Sequence, residues 1–482
     1  MTTEAVPDSS IRASIAARFE RLPLSRWHVT VRLVVGAVTF FEAFDQLLIA
    51  YALPELRADW QLTTSAATLL LTVGSLGMLA GALLSGRVAD RIGRVRVIAL
   101  CVALSSAANL ALAFSPSPDV FMALRFVQGL AIGGEVPVAA TFIAEITRSH
   151  RRGRFVLLYE LVFPAGLTVG ALVAAWVVPL LGWRWMYGLA AIPGVLAVVV
   201  HRKVPESPRW LADRGRTAEA AEVMTRIETA VRKATGAPLP PVPEQPVSPA
   251  PATGTAPGAI TGTATEAVTE AVTGAGRSSG LRGLFTGRYR RRTLVVGALW
   301  FAGYFVNYGI TSWLPTIYKN RYGLTLSDAL LYSTVTSCAG LAGCLVAALT
   351  VDRLGRRRVI TACLGGAAVV LGVLAALGAD TPVQVLVWTS LAAVFFFGSN
   401  ISLYLYTPEL FPTRMRALGS SVGGALNRLG VILGPIVVGA VYAGGHVGAV
   451  FSTLAGVSLA GAVVAGVGAE ETAGRRLEEV SP

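Results

Sequence analysis

The sequence predicts an all-α integral membrane protein with twelve transmembrane helices in two pseudo-symmetric six-helix bundles. Hydrophobic residues make up 54% of the 482 residues and charged residues only 14%, which is too apolar for an ordinary soluble protein. Runs of about 20 apolar residues, long enough to cross a ~30 Å hydrocarbon layer, recur along the whole chain. A short charged segment at 86–96 returns in weaker form at 348–358, which indicates two related halves.

The apolar runs define the domain organisation. We place the twelve spans at roughly 28–54, 64–86, 97–115, 119–147, 154–178, 183–201, 293–317, 327–350, 359–378, 382–407, 415–442 and 445–469. They divide the chain into an N-terminal tail, a first bundle, a linker, a second bundle and a C-terminal tail, at 1–27, 28–202, 203–292, 293–469 and 470–482.

The repeated charged segment reads GRVADRIGRVR in the first half and ALTVDRLGRRR in the second. Asp, Arg, Gly and Arg occupy the same offsets in both copies: Asp90, Arg91, Gly93 and Arg94, then Asp352, Arg353, Gly355 and Arg356. A G-x-x-x-D-R-x-G-R loop between spans two and three, with a weaker copy between spans eight and nine, resembles the hallmark of the major facilitator superfamily of secondary transporters. The resemblance implies the major facilitator fold, with a substrate site near the membrane midplane between two halves that expose it alternately to each side.

The distribution of basic residues sets the expected orientation. Of the 41 Lys and Arg residues, four fall in loops on one side and three inside spans, so the other 34 lie on the side of the termini. This positive-inside bias places both termini in the cytoplasm, and we expect a multi-pass protein of the cell membrane. The net charge of +13 is therefore a topology signal, and no nucleic-acid partner is predicted.

The N-terminal tail is interrupted by charges and has no cleavage site after the first apolar run, so it is not a signal peptide. We expect 1–27 to be a solvated basic tail, with an interfacial helix as the alternative. The four cysteines fall inside spans without metal-ligand spacing, and the four histidines are scattered. We expect no metal and no cofactor.

Spans one and four carry ionisable residues within the membrane. Glu42 and Asp45 lie three residues apart on span one, and such groups are costly in hydrocarbon unless they are paired, protonated or functional. Asp45 and Arg125 both lie roughly 9–14 Å deep, so they can meet across a helix pair and couple a proton. Glu135 lies ten residues further along span four and is predicted to assist, as is Glu42. Three glycines of span four favour close helix packing: Gly129, Gly133 and Gly134.

A second set of charges is predicted to form a cytoplasmic gate. Glu145 closes span four and Arg152 follows seven residues later, and Glu409 and Arg416 repeat this arrangement after span ten. Together with the repeated loop they would hold the two halves shut on the inner side. Plain membrane anchoring is the alternative for any single arginine. The predicted gate comprises Asp90, Arg91, Arg94, Glu145, Arg152, Asp352, Arg353, Arg356, Glu409 and Arg416.

The linker begins with PESPRWL at Pro205–Leu211, which resembles the sugar-porter-like branch of the superfamily, as does ETAGRRLEE near the C-terminus. Residues 212–234 have helical patterning. The segment 235–280 is rich in Pro, Ala, Thr and Gly, cannot bury a core and is predicted to be disordered.

Span seven gives the finer prediction. Its run LWFAGYFVNYGITSWLPTIY lacks the glutamines of sugar porters and is similar to niacin-permease-like and aromatic-acid:proton symporters. TPELFPTRMRALG before span eleven resembles the niacin-permease and organic-ion-transporter group. Arg428 lies at mid-membrane and needs an anionic partner, which is either a protein carboxylate such as Glu42 or the substrate itself. The predicted substrate-binding residues are Arg428, Asn427, Tyr304, Asn307, Tyr308, Trp313, Gln128 and Tyr404.

These observations favour a monomeric secondary transporter that couples proton flow to symport of a small organic solute, a carboxylate with an aromatic or heteroaromatic ring. The lipid bilayer and the solute are its expected partners, and the proton is its only coupling ion. A sugar or polyol porter, a proton-driven exporter and a non-transporting solute sensor are the alternatives. No nucleophile–base pair, metal cluster or phosphate loop supports an enzyme.

Overall fold

The computed structural model describes residues 14–15, 17–19, 21–23, 25–146, 161–242, 281–412 and 415–473. Within these residues, twelve helical spans are long and apolar enough to cross a membrane, which confirms the predicted fold class. In chain order the spans consist of Arg26–Gln46 with Leu48–Asp59, Thr64–Ile92, Arg94–Ala113, Pro118–Ile146, Val162–Leu181, Trp183–Ala191 with Ile192–Gly194 and Val195–Lys203, Gly287–Tyr322, Leu326–Leu354, Arg356–Ala376, Pro382–Glu409, Arg416–Ala443 and Val447–Gly468. We number them spans 1 to 12. Three shorter helices lie between spans 6 and 7: Pro208–Asp213, Thr217–Thr235 and Leu281–Leu284.

Matching local signals start the second span of each half. Thr63 caps span 2 by accepting a hydrogen bond from the Ala66 amide at 3.2 Å. Thr325 caps span 8 in the same way, accepting from the Asp328 amide at 3.1 Å. A threonine at this position satisfies one of the free N–H groups of the first helical turn. The two halves therefore share their helix-start chemistry as well as their repeated loop.

Glycines allow the helices of each half to pack closely. A Cβ atom on Gly129 of span 4 would overlap the carbonyl oxygen of Gly74 on span 2, and one on Gly133 would overlap that of Met78. In the second half, a Cβ atom on Gly343 of span 8 would overlap the Val394 carbonyl on span 10. This confirms the packing role predicted for Gly129 and Gly133.

The two halves meet where span 5 packs on span 8, span 2 on span 11, and the end of span 1 on span 7. Hydrogen bonds that join them include Thr168 Oγ1 to Ser337 O at 3.3 Å and Thr334 Oγ1 to Ala171 O at 3.1 Å. Tyr51 Oη lies 3.5 Å from Ser337 Oγ. Tyr51, Thr334 and Ser337 lie in the halves of their spans that are away from the two charged loops. We call the side with those loops the basic face, so the halves are in contact away from the basic face.

A small hydrophobic core lies on the basic face beneath the first bundle. Helix Thr217–Thr235 contributes to it, as predicted for 212–234, and so does the end of the N-terminal tail. The members from the tail are 1–3% exposed: Ile15, Phe19 and Leu22. The expectation of a solvated tail is wrong for these residues, because three apolar side chains at helical spacing are buried against the linker helix. The predicted disorder around 235–280 falls largely on 243–280, outside the described residues.

Candidate functional site

Asp45 is the centre of a buried polar network that joins four spans. Its carboxylate accepts hydrogen bonds from Gln128 Nε2 at 2.8 Å to both oxygens and from Asn109 Nδ2 at 2.8 Å. Gln128 also donates to Asn109 Oδ1 at 2.5 Å, and Asn109 donates to the Ala190 carbonyl at 3.3 Å. Asp45 is 4% exposed and the two amides 0–1%, so these bonds replace the water that the carboxylate has lost.

Arg125 is connected to Asp45 through Gln128. Its Nη1 donates to Gln128 Oε1, and Gln128 in turn donates to Asp45. The sequence predicted that Arg125 and Asp45 meet, and the structure places them in one network with an amide between them. Gln128, predicted to bind substrate, is that amide. Gly74 leaves room for the guanidinium, whose Nη2 would be 2.9 Å from a Cβ atom at this position.

Glu42 and Glu135 lie next to each other, about one turn along span 1 and two turns along span 4 from this network. Each carboxyl group is an electrostatic neighbour of the other. Both side chains are buried, Glu135 fully and Glu42 to within 8%. Among the described residues neither Glu135 oxygen accepts from another donor. Two adjacent carboxylates repel each other when they are buried between apolar spans. The pair is therefore suited to holding one proton between the two groups.

A central cavity lies between the two halves. Residues of spans 1, 2, 4, 7 and 11 line it, and its empty space amounts to about 440 Å³, part of it open to solvent. Arg125 reaches this cavity from the first half and Tyr308 reaches it from the second. Further polar lining groups are Gln46, Ser75 and Ser312. The cavity is therefore in contact with the arginine of the buried network.

A second cavity, which we call the side cavity, lies between spans 5, 7, 8 and 10. Its empty space is about 350 Å³, part of it open to solvent. Tyr304, Asn307 and Tyr404 line it, as do Asn400 and Phe397. Three residues predicted to bind substrate therefore share one cavity. No signal in the sequence distinguishes Asn400 from an asparagine that only packs.

An aromatic cluster separates the two cavities. Tyr304 and Tyr308 stack with ring centroids 6.0 Å apart, and the Tyr304 and Tyr404 hydroxyls lie 3.1 Å from each other. Trp300 packs edge-on against Tyr404 at 4.7 Å and donates to Thr407 Oγ1 at 2.9 Å. Tyr308 thus faces the central cavity while Tyr304 and Tyr404 face the side cavity.

Arg428 lies next to this cluster on span 11. Its Nη1 donates to the Gly424 carbonyl of its own helix at 2.9 Å, and its buried Nε has no protein acceptor among the described residues. Tyr404, Tyr304 and Glu42 are its electrostatic neighbours. A bond to one carbonyl leaves most of the guanidinium's donors available, so both predicted partners, Glu42 and a substrate anion, stay open.

Two predicted substrate residues lie elsewhere. Trp313 is fully buried, donates from Nε1 to the Pro435 carbonyl at 2.9 Å and packs against Tyr442. It lines neither of the two cavities, because it lies in the packed contact between spans 7 and 11. Asn427 is half-buried beside Arg428.

The charged loops form a separate network in each half. Asp90 pairs with Arg94 at 2.9 Å in the first half, and Asp352 pairs with Arg356 at 2.9 Å in the second. Arg356 also pairs with Glu409 at 3.2 Å. Each of these ion pairs stays within its own half, so a role in holding the halves together stays a prediction. The remaining predicted gate residues are either exposed, Arg91 and Arg353, or have side chains outside the described part, Glu145, Arg152 and Arg416.

Two acidic residues that the prediction had not placed at the gate complete these networks. Glu206 of PESPRWL accepts from the Arg94 and Val95 amides at 2.9 and 3.1 Å, and Glu471 of ETAGRR accepts from the Arg356 amide at 2.8 Å. A carboxylate at a helix start satisfies free N–H groups and the positive end of the helix dipole. Gly93 has φ of +107°, and a Cβ atom on it would overlap Glu206 Oε2. This explains physically why glycine stands in the repeated loop.

Comparison with known proteins settles the family. The sequence description of the Major Facilitator Superfamily matches residues 35–435 and 345–480. The chain belongs to the Major Facilitator Superfamily. The niacin transporter NiaP of Acinetobacter baylyi is 34% identical over 470 residues, covering 97% of this chain and 99% of that protein. The 4-hydroxybenzoate transporter PcaK of the same species is 26% identical, covering 88% and 87%.

A solved structure agrees with the fold. The inward-open conformation of the xylose transporter XylE from E. coli matches with a TM-score of 0.70 at 19% identity, covering 94% of this chain and 99% of that one. At this identity the likeness shows the fold alone. The family assignment and the fold class predicted from the repeated loop are thus confirmed, and the chain is a multi-pass membrane transporter, not an enzyme. By sequence it is close to niacin and aromatic-acid transporters.

Proposed function

We propose that this transporter couples proton entry to the uptake of a small aromatic or heteroaromatic carboxylate across the cell membrane. The observation that carries the proposal is the Asp45–Gln128–Arg125 network, because it joins a buried titratable carboxylate to a cation that lines the central cavity. The names of the relatives, a niacin transporter and a 4-hydroxybenzoate transporter, support the substrate class.

The geometry supports the following coupling step. Asp45 is held ionised while Gln128 relays the positive charge of Arg125 to it. A substrate carboxylate in the central cavity attracts Arg125 and weakens that relay, so Asp45 takes up a proton in exchange. Glu42 and Glu135 hold a further proton nearby. Arg428 receives the anion at a second position, beside Tyr304 and Tyr404, once the substrate has moved from the central cavity to the side cavity. The basic face is cytoplasmic in this proposal, and the protein works as a monomer.

The coupling test uses purified protein in liposomes with the outside acidified. Wild type is expected to accumulate labelled pyridine-3-carboxylate above equilibrium. In Asp45→Asn the accumulation is expected to fall by about tenfold or more. Exchange of labelled for unlabelled substrate needs no net proton movement and is expected to continue. Glu55→Gln is the matched control, because Glu55 on the same span caps the Trp183 amide at 2.9 Å.

The outcomes separate the alternatives. Accumulation that survives Asp45→Asn would refute the coupling role of this residue. Uptake of labelled hexose, but of no aromatic carboxylate, would move the protein to the sugar or polyol porters. Accumulation of the labelled acid only when the inside of the liposomes is the more acidic side would identify the protein as a proton-driven exporter. For Arg428→Gln, the anion role predicts a KM for the carboxylate raised about 10- to 100-fold, since a charged hydrogen bond contributes about 1.5–3 kcal/mol.

A further inference from the structure

Asn400 of span 10 has a buried amide without a protein partner. The residue is 5% exposed, and both its Oδ1 and its Nδ2 are buried without a hydrogen bond among the described residues. A buried amide that makes no hydrogen bond is unfavourable by several kcal/mol in the worst case, so a native structure rarely keeps one without a reason. The residue lines the side cavity, where a ligand can supply the missing bonds.

The chain makes room for this amide. A Cβ atom on Gly303 of span 7 would overlap Asn400 Oδ1, so the absence of a side chain there lets the amide lie against span 7. Asn307, one helical turn further along span 7, lines the same cavity and is also 5% exposed. Two asparagines from facing helices therefore reach one small space.

The rest of the side cavity suits a flat ring. Phe163 and Leu167 of span 5, Phe397 and Ile401 of span 10, and Cys344 of span 8 supply apolar walls around a space of about 350 Å³, a figure that includes space open to solvent. Pockets of this kind, mostly apolar with a few polar groups, are typical of small-molecule sites. The polar groups fix the orientation of the ligand within them.

A cation lies near the tyrosines of the side cavity. Tyr404 is four residues from Asn400 on span 10, about 6 Å along the helix axis. Its hydroxyl lies 3.1 Å from that of Tyr304, and Arg428 is an electrostatic neighbour of both tyrosines. An aromatic acid whose ring edge meets Asn400 can direct its carboxylate toward the tyrosine hydroxyls, on the side of Arg428.

We propose that Asn400 recognises a hydrogen-bonding group on the ring of the substrate, on the edge away from the carboxylate. Its Nδ2 donates to a ring nitrogen or a phenolic oxygen, and its Oδ1 accepts from a phenolic hydroxyl where one is present. Asn400 is thus a specificity-determining residue that disfavours aromatic acids whose ring has no polar atom. This inference rests on the proposed uptake of aromatic carboxylates.

The test measures competition against uptake of labelled pyridine-3-carboxylate in liposomes. The unlabelled competitors are pyridine-3-carboxylate, with a ring acceptor, 4-hydroxybenzoate, with a ring donor and acceptor, and benzoate, with neither. In wild type, benzoate is expected to compete about 10- to 100-fold more weakly than the better of the other two, because it leaves the buried amide unsatisfied. Which of the two polar-ring acids competes better identifies whether a ring nitrogen or a hydroxyl is preferred.

Asn400→Leu replaces the amide with an apolar group of similar size. We expect it to bring the three competitors within about threefold of one another, mainly by strengthening benzoate. Thr389→Val is the matched control: Thr389 lies on the same span, is fully buried and bonds the Val385 carbonyl of its own helix at 2.7 Å. The wild-type preference is expected to persist in that variant.

Three results would overturn the inference. Wild type that accepts benzoate as well as the polar-ring acids has no such recognition, whatever the variant does. A preference unchanged in Asn400→Leu places the recognition elsewhere. If wild type transports no aromatic acid, it is the proposed function that fails. Binding is then measured on wild type as the shift of the thermal unfolding midpoint caused by each of the same three acids. Equal shifts, or no shift, would refute the role of Asn400, whereas a shift caused only by the polar-ring acids would support it.

Discussion

The attachment of the N-terminal tail to the linker helix depends on Glu228. Arg18 donates to its carboxylate from Nε at 2.9 Å and from Nη2 at 2.7 Å, and Arg21 donates from Nη2 at 2.7 Å. Burial opposes ionisation of Glu228, but the hydrogen bonds and charges of the two arginines outweigh it and lower the pKa of Glu228. A lowered pKa means that the ionised form stabilises the attached state.

The size of the effect follows from the number and exposure of these bonds. A hydrogen bond to a charged group contributes about 1.5–3 kcal/mol, but the two arginine side chains are 20% and 19% exposed, and solvent screens them partly. We therefore expect Glu228→Gln to weaken the attachment by about 2 kcal/mol, which is about a 30-fold rise in the fraction detached.

Limited trypsin digestion at pH 7.5 measures that fraction, because cleavage after Arg18 or Arg21 requires the segment to leave the linker helix. Glu228→Gln is expected to be cleaved there about 30-fold faster than wild type. Glu222→Gln is the matched control, since Glu222 pairs with Arg226 on the exposed side of the same helix. Equal cleavage rates in wild type and both variants would show that the buried apolar side chains alone hold the tail.

The same linkage gives the pH dependence. The contribution of Glu228 is present above the ordinary glutamate pKa of about 4.3 and is lost as pH falls through the lower pKa of the folded state. Amide hydrogen exchange of 14–22, corrected for its intrinsic pH dependence, is expected to speed up below about pH 4 in wild type. In Glu228→Gln this acid-induced increase is expected to be absent, and an equal increase there would contradict the assignment.

Two further predictions concern helix packing and the basic face. Gly129→Ala pushes a methyl group into the Gly74 carbonyl and is expected to lower the thermal unfolding midpoint, whereas Gly86→Ala, with no neighbour within 4 Å, is expected to leave it unchanged. Glu206→Gln weakens the cap on the Arg94 amide and is expected to destabilise the first half by about 1 kcal/mol. The thermal unfolding midpoint measures this effect as well. An unchanged midpoint would mean that the charge of the Glu206 carboxylate does not contribute to stability.

The sequence was sufficient for the spans and for part of the network. Apolar runs of membrane length identify helices without tertiary information, and depth along two helices predicted that Asp45 and Arg125 share a region. The amide between them could not be foreseen as such, because depth fixes height in the membrane and leaves rotation about the helix axis open. Gln128 was accordingly predicted to bind substrate, while it bonds Asp45.

The missed residues are neutral amides and helix caps. Asn109 and Asn400 each stand alone in an apolar span, where an asparagine has no sequence signal that separates packing from function. What each side chain contacts depends on which residue of another helix faces it. Asn109 faces Asp45, and Asn400 faces Gly303. Glu206 stood out only as part of a family motif, because a cap on a helix 112 residues away in the chain exists only after folding.

Three hydroxyls at the contact between the halves, those of Thr168, Thr334 and Ser337, have a second partner within their own helices. Thr168 Oγ1 also donates to the Pro164 carbonyl at 2.9 Å, Thr334 Oγ1 to that of Leu330 at 2.9 Å, and Ser337 Oγ to that of Ser333 at 3.3 Å. When the halves separate, each of these protons keeps an acceptor, so none is stranded in a membrane interior where an unsatisfied group is costly. These hydrogen bonds therefore orient the two halves while adding little to the free energy that holds them together.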